Sequence, residues 1–150
     1  MRLAKEYYKN TLLGLHRGNG RGVVSNAKPL FCISILDCIA NIIVSENKFV
    51  LTNDAFVTTY NTLCDRYEPD KQRTPIYKPY FHLNSEPFYN LIWKKGTNIP
   101  GFSTTPSAKF LRENVQYASL DKELWKLLQD AAVRNEFREA IVNHFLKSKN

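Results

Sequence analysis

Few residues of this 150-residue chain are of a type and spacing that could do chemistry, and they cluster in one aromatic stretch, Lys78-Pro79-Tyr80-Phe81-His82-Leu83-Asn84-Ser85-Glu86-Pro87-Phe88-Tyr89-Asn90-Leu91-Ile92-Trp93. If residues 80–84 are a strand, period-two alternation puts Tyr80, His82 and Asn84 on one face and Phe81 and Leu83 on the other. Lys78 with that first face offers a cation, an imidazole, a phenol and an amide, groups that hydrogen-bond phosphates and base edges. The same His82 serves equally well as a structural histidine bonded to a tyrosine or a carbonyl. The Asn-Ser-Glu-Pro break between two aromatic runs predicts a two-stranded hairpin, with Pro79 at a strand start and Pro87 in the turn.

Charge supplies a second set of candidates. The formal net charge is +7, from 21 Lys and Arg against 14 Asp and Glu. It is uneven: residues 1–30 carry Arg2, Lys5, Lys9, Arg17, Arg21 and Lys28 against Glu6, and residues 71–109 carry Lys71, Arg73, Lys78, Lys94, Lys95 and Lys109 against Glu86. Each segment nets +5, and the remainder is slightly acidic at −3. Two basic segments on an acidic body are the footprint of a protein that neutralises phosphates, although lysines also serve solubility alone. Arg17, Arg21, Lys28, Lys78, Lys94 and Lys95 are therefore candidate nucleic-acid contacts beside Pro79, Tyr80, His82 and Asn84. The glycines of Arg17-Gly18-Asn19-Gly20-Arg21-Gly22 allow close approach of backbone to a phosphate. No Gly-Lys-Ser/Thr follows, so this is not a P-loop, and a flexible connector is an equal reading.

No residues pattern as a metal or catalytic centre. Cys32, Cys38 and Cys64 are odd in number, form no CxxC pair and lack histidine neighbours at ligand spacing, which argues against a zinc site and a disulfide framework and for a reducing, cytoplasmic setting. Asp121 and Glu123 fall in a first helical turn, where they serve the helix dipole rather than acid–base work. Catalytic residues, metal ligands and cofactors are thus all expected to be none. No apolar run reaches the roughly 18 residues of a membrane span.

These groups need a scaffold, and the pattern predicts a single domain of α+β class, mainly helical with one aromatic-rich β-hairpin. A first amphipathic helix over Leu3–His16 buries Leu3, Tyr7, Tyr8, Leu12 and Leu15. Lys28-Pro29 opens a core helix with Pro suited to its first turn, and Ser34, Asp37 and Asn41 form its wet stripe. Phe49-Val50-Leu51 reads as an edge strand, and Asn53 or Thr52 caps a helix running through Tyr67. Basic loops at 68–78 and 94–106 flank the hairpin, the arrangement of a wing lying against a nucleic-acid backbone. From Ser107 the pattern turns helical through Tyr117. Ser119 then caps a helix carrying Leu120, Leu124, Leu127 and Leu128, and Asp130 caps a last one burying Val133, Phe137, Ala140, Ile141 and Phe145.

Three blocks carry a family resemblance: Lys28-Pro29-Leu30; Pro79-Tyr80-Phe81-His82-Leu83 with Phe88-Tyr89-Asn90-Leu91; and Leu111–Asp121 with Leu124-Trp125 and Leu127–Asp130. Over about residues 3–146 the chain resembles the N-terminal DNA-recognition domain of bacterial HNH restriction endonucleases, a group related to the sulfur-binding domains of phosphorothioate-dependent restriction enzymes. In those domains an aromatic-proline pair and a small residue three positions later form a pocket for the phosphorothioate sulfur. Pro79 matches the proline, while Lys78 stands in the aromatic position and His82 in the small one; Ala27 stands where relatives place a histidine. The resemblance implies a smaller, more polar pocket and a partner that is double-stranded DNA, plain or backbone-modified. It also implies a recognition module without nuclease residues of its own, since His144 is alone near the end, with cutting left to another domain or a partner subunit. The competing expectation is a small interaction subunit of a defence or toxin-like assembly, contacting a protein through Phe88, Tyr89 and Trp93.

Overall fold

The computed structural model describes residues 2–17, 19–20, 23–99, 101 and 104–146. The α+β class holds. Among the described residues there are seven α-helices and two small antiparallel pairs: α1 Arg2–Leu13, β1 Asn19–Gly20, β2 Val23–Val24, α2 Ala27–Ala40, α3 Asp54–Tyr67, α4 Tyr77–His82, β3 Tyr89–Trp93, α5 Ala108–Asn114, β4 Val115–Leu120, α6 Lys122–Leu127 and α7 Ala131–Ile141.

Helix α2 is the axis of the core. From Pro29 to Ile39 every residue is buried except half-buried Asp37. A helix apolar on nearly all sides must be surrounded, and α3, α4 and α7 pack around it. Phe31 lies at the centre, its ring 5.6 Å from Phe56, 6.2 Å from Tyr80 and 6.0 Å from Tyr89. The expected wet stripe is narrower than its residues suggest: Ser34 is fully buried and donates to the Phe31 carbonyl at 2.6 Å. Asp37 takes a two-pronged bond from Arg138 of α7, at 2.8 and 3.1 Å, which ties the two helices.

Asn53 caps α3 through its side-chain oxygen, accepting from Ala55 N and Phe56 N, and Asp130 caps α7 in the same way, as their residue types require. Helix α1 ends at Leu13, short of His16, and Leu3 and Tyr7 face solvent at 82% and 54% exposure, so its inner stripe is only Tyr8, Leu12 and the following Leu15.

The antiparallel ribbon is not where the aromatic stretch predicts it. Residues 80–84 are helical: α4 is followed by a 3-10 turn over Leu83–Ser85, and β3 begins at Tyr89. The burial period in this segment is Ile76, Pro79, Tyr80 and Leu83, an i, i+3, i+4, i+7 helical stripe that a five-residue window of apparent alternation conceals. Pro79 fits because it lies in the first turn, where its missing N–H has no helical acceptor to lose.

Strand β3 pairs instead with β4, twenty-odd residues on, in the register Tyr89↔Leu120, Leu91↔Ala118 and Ile92↔Tyr117, with an irregularity before Trp93↔Val115. Val115 and Tyr117 are therefore strand residues, not helical ones, and Ser119 lies inside β4 rather than at a cap. Asp121 takes the N-cap position of α6, but its carboxylate accepts from Tyr8 Oη at 3.0 Å and makes no cap bond. Phe49 joins the opposite edge of β4 through a single bridge to Ala118, where the sequence suggests a strand over 49–51. The Asn47 side-chain amide continues that ladder, donating to Leu120 O at 2.7 Å and accepting from Leu120 N at 2.8 Å.

Candidate nucleic-acid interface

Three separate segments meet at a cavity of about 380 Å3. His16 and Arg17 enter from the end of α1, Ser25, Ala27 and Lys28 from the start of α2, and Thr74, Lys78, Pro79, His82 and Ser85 from α4 and its flanks. Of the sequence candidates, Arg17, Lys28, Lys78, Pro79 and His82 line this one basin. Residues 61 positions apart along the chain, Arg17 and Lys78, thus share one hollow because α2 carries its own start against α4.

Glu86 does not line the hollow but anchors two residues that do, Lys28 and His16. Its side chain is only 2% exposed, and it accepts from Lys28 Nζ at 3.0 Å and from the His16 backbone N–H at 3.1 Å; His16 Nδ1 lies 3.4 Å away. A buried carboxylate needs such donors to offset its lost hydration. Lys28 Nζ also donates to Ser85 Oγ at 3.3 Å, leaving one of its three hydrogens for the basin. The sequence identifies Glu86 only as a turn residue; no local signal marks a carboxylate whose partner is 58 positions away.

Arg17 is held but not used up. Its Nη1 donates to Asn26 Oδ1 at 2.8 Å and its guanidinium carbon lies 4.8 Å from the centre of the Phe145 ring. Asn26 occupies the N-cap position of α2 without making a cap bond, because its amide donates to Glu68 while its oxygen serves Arg17. At the start of α2 it is Ser25 instead that serves the helix end, its Oγ accepting from the Ala27 N–H at 3.2 Å beside the basin.

His82 stands exposed on the rim, its Nε2 2.6 Å from Thr105 Oγ1. Partial desolvation, then the nearby Lys28 and Lys78 ammonium groups, lower its pKa below the ordinary 6.5, so it is neutral at pH 7. Lys78 is exposed, and among the described residues no ion-pair partner is found for it.

The other candidates lie elsewhere. Tyr80 is 1% exposed, and its hydroxyl donates to Phe49 O at 2.7 Å, so it supports the basin from within the core and presents nothing outward. Asn84 accepts from Leu91 N at 2.9 Å, pinning the 3-10 turn to β3. The expected single face of Tyr80, His82 and Asn84 does not exist, because a helix and a 3-10 turn rotate successive side chains by about 100–120° rather than 180°. Lys94 and Lys95 are exposed beyond the far end of β3 and do not line the basin, so the two basic flanks do not form a wing. Arg21 lies outside the described residues.

Phe88 and Tyr89, offered by the sequence as anchors for a protein partner, are each 1% exposed, and Trp93 is half-buried. Cys32, Cys38 and Cys64 are free, buried thiols, and burial pushes the Cys38 thiol up to about 11, far from nucleophilic use. Among the described residues no three His, Cys, Asp or Glu side chains are grouped to hold a metal ion, and no helix is long and apolar enough to cross a membrane. No protein-family model matches the chain, and no curated protein does either.

Proposed function

We propose that this chain is a DNA-recognition module that binds the phosphate backbone through the basin of Arg17, Lys28, Lys78 and His82 around Pro79. The observation that carries this reading is convergence: cations from both basic segments of the sequence line one hollow. Arg17 supplies a planar fork for phosphate oxygens, Lys28 a fixed ammonium and Lys78 a free one. Pro79 is buried and contributes the apolar wall against which a phosphorothioate sulfur would rest, so backbone-modified DNA is a variant of the same ligand. In this reading the module works in a restriction or defence system, in the cytoplasm where its thiols stay reduced, and cleavage belongs to a nuclease domain or partner subunit.

The test is fluorescence anisotropy with a labelled duplex. Binding should weaken linearly in log salt with a slope of about −2 to −3, as two or three phosphates are neutralised. A duplex with phosphorothioate links should bind at least as well as the plain one. Absence of binding to either duplex at low salt overturns the proposal.

A further inference from the structure

The basin is better matched to one doubly charged group than to a run of singly charged ones. Three cations, Arg17, Lys28 and Lys78, line it, and counting buried Glu86, which pairs with Lys28, against them leaves two positive charges in excess. Neighbouring charges do not change this balance: Glu68 is paired with Lys71 at 3.1 Å and Arg73 with Asp65 at 2.9 Å. His82, its pKa lowered by desolvation and the neighbouring ammonium groups, adds none at pH 7.

Shape agrees with charge. The three cations line one hollow of about 380 Å3, and Lys94 and Lys95 lie off it. An internal phosphodiester brings one charge and two free oxygens. A phosphomonoester brings −1.5 to −2 at neutral pH and three strong acceptor oxygens, one for each cation here.

We propose, building on the DNA-binding reading above, that the basin is a terminal-phosphate site, preferring the phosphomonoester of a 5′-phosphorylated DNA end to the diesters within a strand. Lys28, already anchored by Glu86 and Ser85, sets the depth of the phosphate; Arg17 and Lys78 reach it from the segments before α2 and in α4. The same chemistry could be presented by a free nucleotide, and the experiment separates the two sources.

The full chain is titrated at low salt against two blunt duplexes identical except for 5′-phosphate or 5′-hydroxyl ends, and thymidine 5′-monophosphate is titrated alone and as competitor. The expected result is about tenfold tighter binding of the phosphorylated duplex, the scale of one additional desolvated charge contact. Lys78→Ala, at an exposed position, should abolish that preference while leaving the melting temperature unchanged. Equal affinity for the two duplexes overturns the terminal-phosphate proposal and leaves DNA binding standing. Binding of the mononucleotide without either duplex supports the monoester chemistry and removes the DNA reading. No binding of any of the three removes both.

Discussion

Two hollows on this molecule invite comparison, and the larger one is the poorer candidate. The cleft between α1, α6 and α7 encloses about 580 Å3 and is lined by Lys5 and Lys126 against Glu123 and Asp130. Its charges cancel, and Lys5 is further tied to Glu136, which also takes Lys9 at 3.1 Å. The basin at α2 and α4 is smaller, yet of the three cations that line it only Lys28 is offset by a carboxylate, the buried Glu86. Volume reports how helices of unequal length leave space; an uncancelled charge brought into a concave site has to be offset by something. The carboxylates teach the same lesson, since Glu86 is buried and fixes one lysine in depth, whereas Glu136 is a third exposed and ties down two at the surface.

The sharpest way to break the comparison is to remove each carboxylate in turn. Glu86→Ala should cost about 3 kcal/mol in urea unfolding, because it strands Lys28 and the His16 N–H without a buried partner. Glu136→Ala should leave the urea midpoint nearly unchanged, as expected of a solvated pair. Equal effects would mean that Glu86 is no more than another surface acid.

Next come the cations. Arg17→Ala with Lys78→Ala should weaken duplex binding about tenfold or more and flatten the salt slope by one to two units. Lys5→Ala with Lys126→Ala in the cleft should change affinity less than about twofold, since those charges are already balanced. A reversal of the two results would move the interface to the cleft.

Ile42 provides a control outside both hollows. It follows α2 in the left-handed region at φ 57° and is 77% exposed, where its N–H bonds Ile39 O and that of Ile43 bonds Cys38 O. That reverse-turn helix end normally takes glycine, and a β-branched side chain is strained there. Ile42→Gly should stabilise the chain by about 1 kcal/mol in urea unfolding without altering affinity.

The smallest effect is the pH response of His82. Its folded pKa lies below 6.5, so the unfolded chain takes up its proton first, and the stability present above pH 6.5 is lost as pH falls. His82→Asn should flatten the dependence of the urea midpoint between about pH 7 and pH 5. A bound anion should raise the imidazole pKa, so affinity should rise a few-fold over the same fall in pH; a flat profile would place His82 outside the site.

The sequence alone determined the helical scaffold wherever the signal is local. Asn53 and Asp130 cap the helices that their short side chains suit, Pro29 opens α2, and the continuous apolar run around Phe31 makes α2 the core. It also named Arg17, Lys28, Lys78, Pro79 and His82, because charge and residue type are properties of the chain itself. Only the tertiary structure decided that residues 76–83 turn as a helix, so that Tyr80 goes inward while Lys78 and His82 stay out, and that β3 finds its partner in β4. Short aromatic runs fit either period, and the choice falls to whichever packing buries Ile76, Tyr80 and Leu83 together. Glu86 was legible only in three dimensions for a related reason: the worth of a buried carboxylate depends on donors that sequence separation hides.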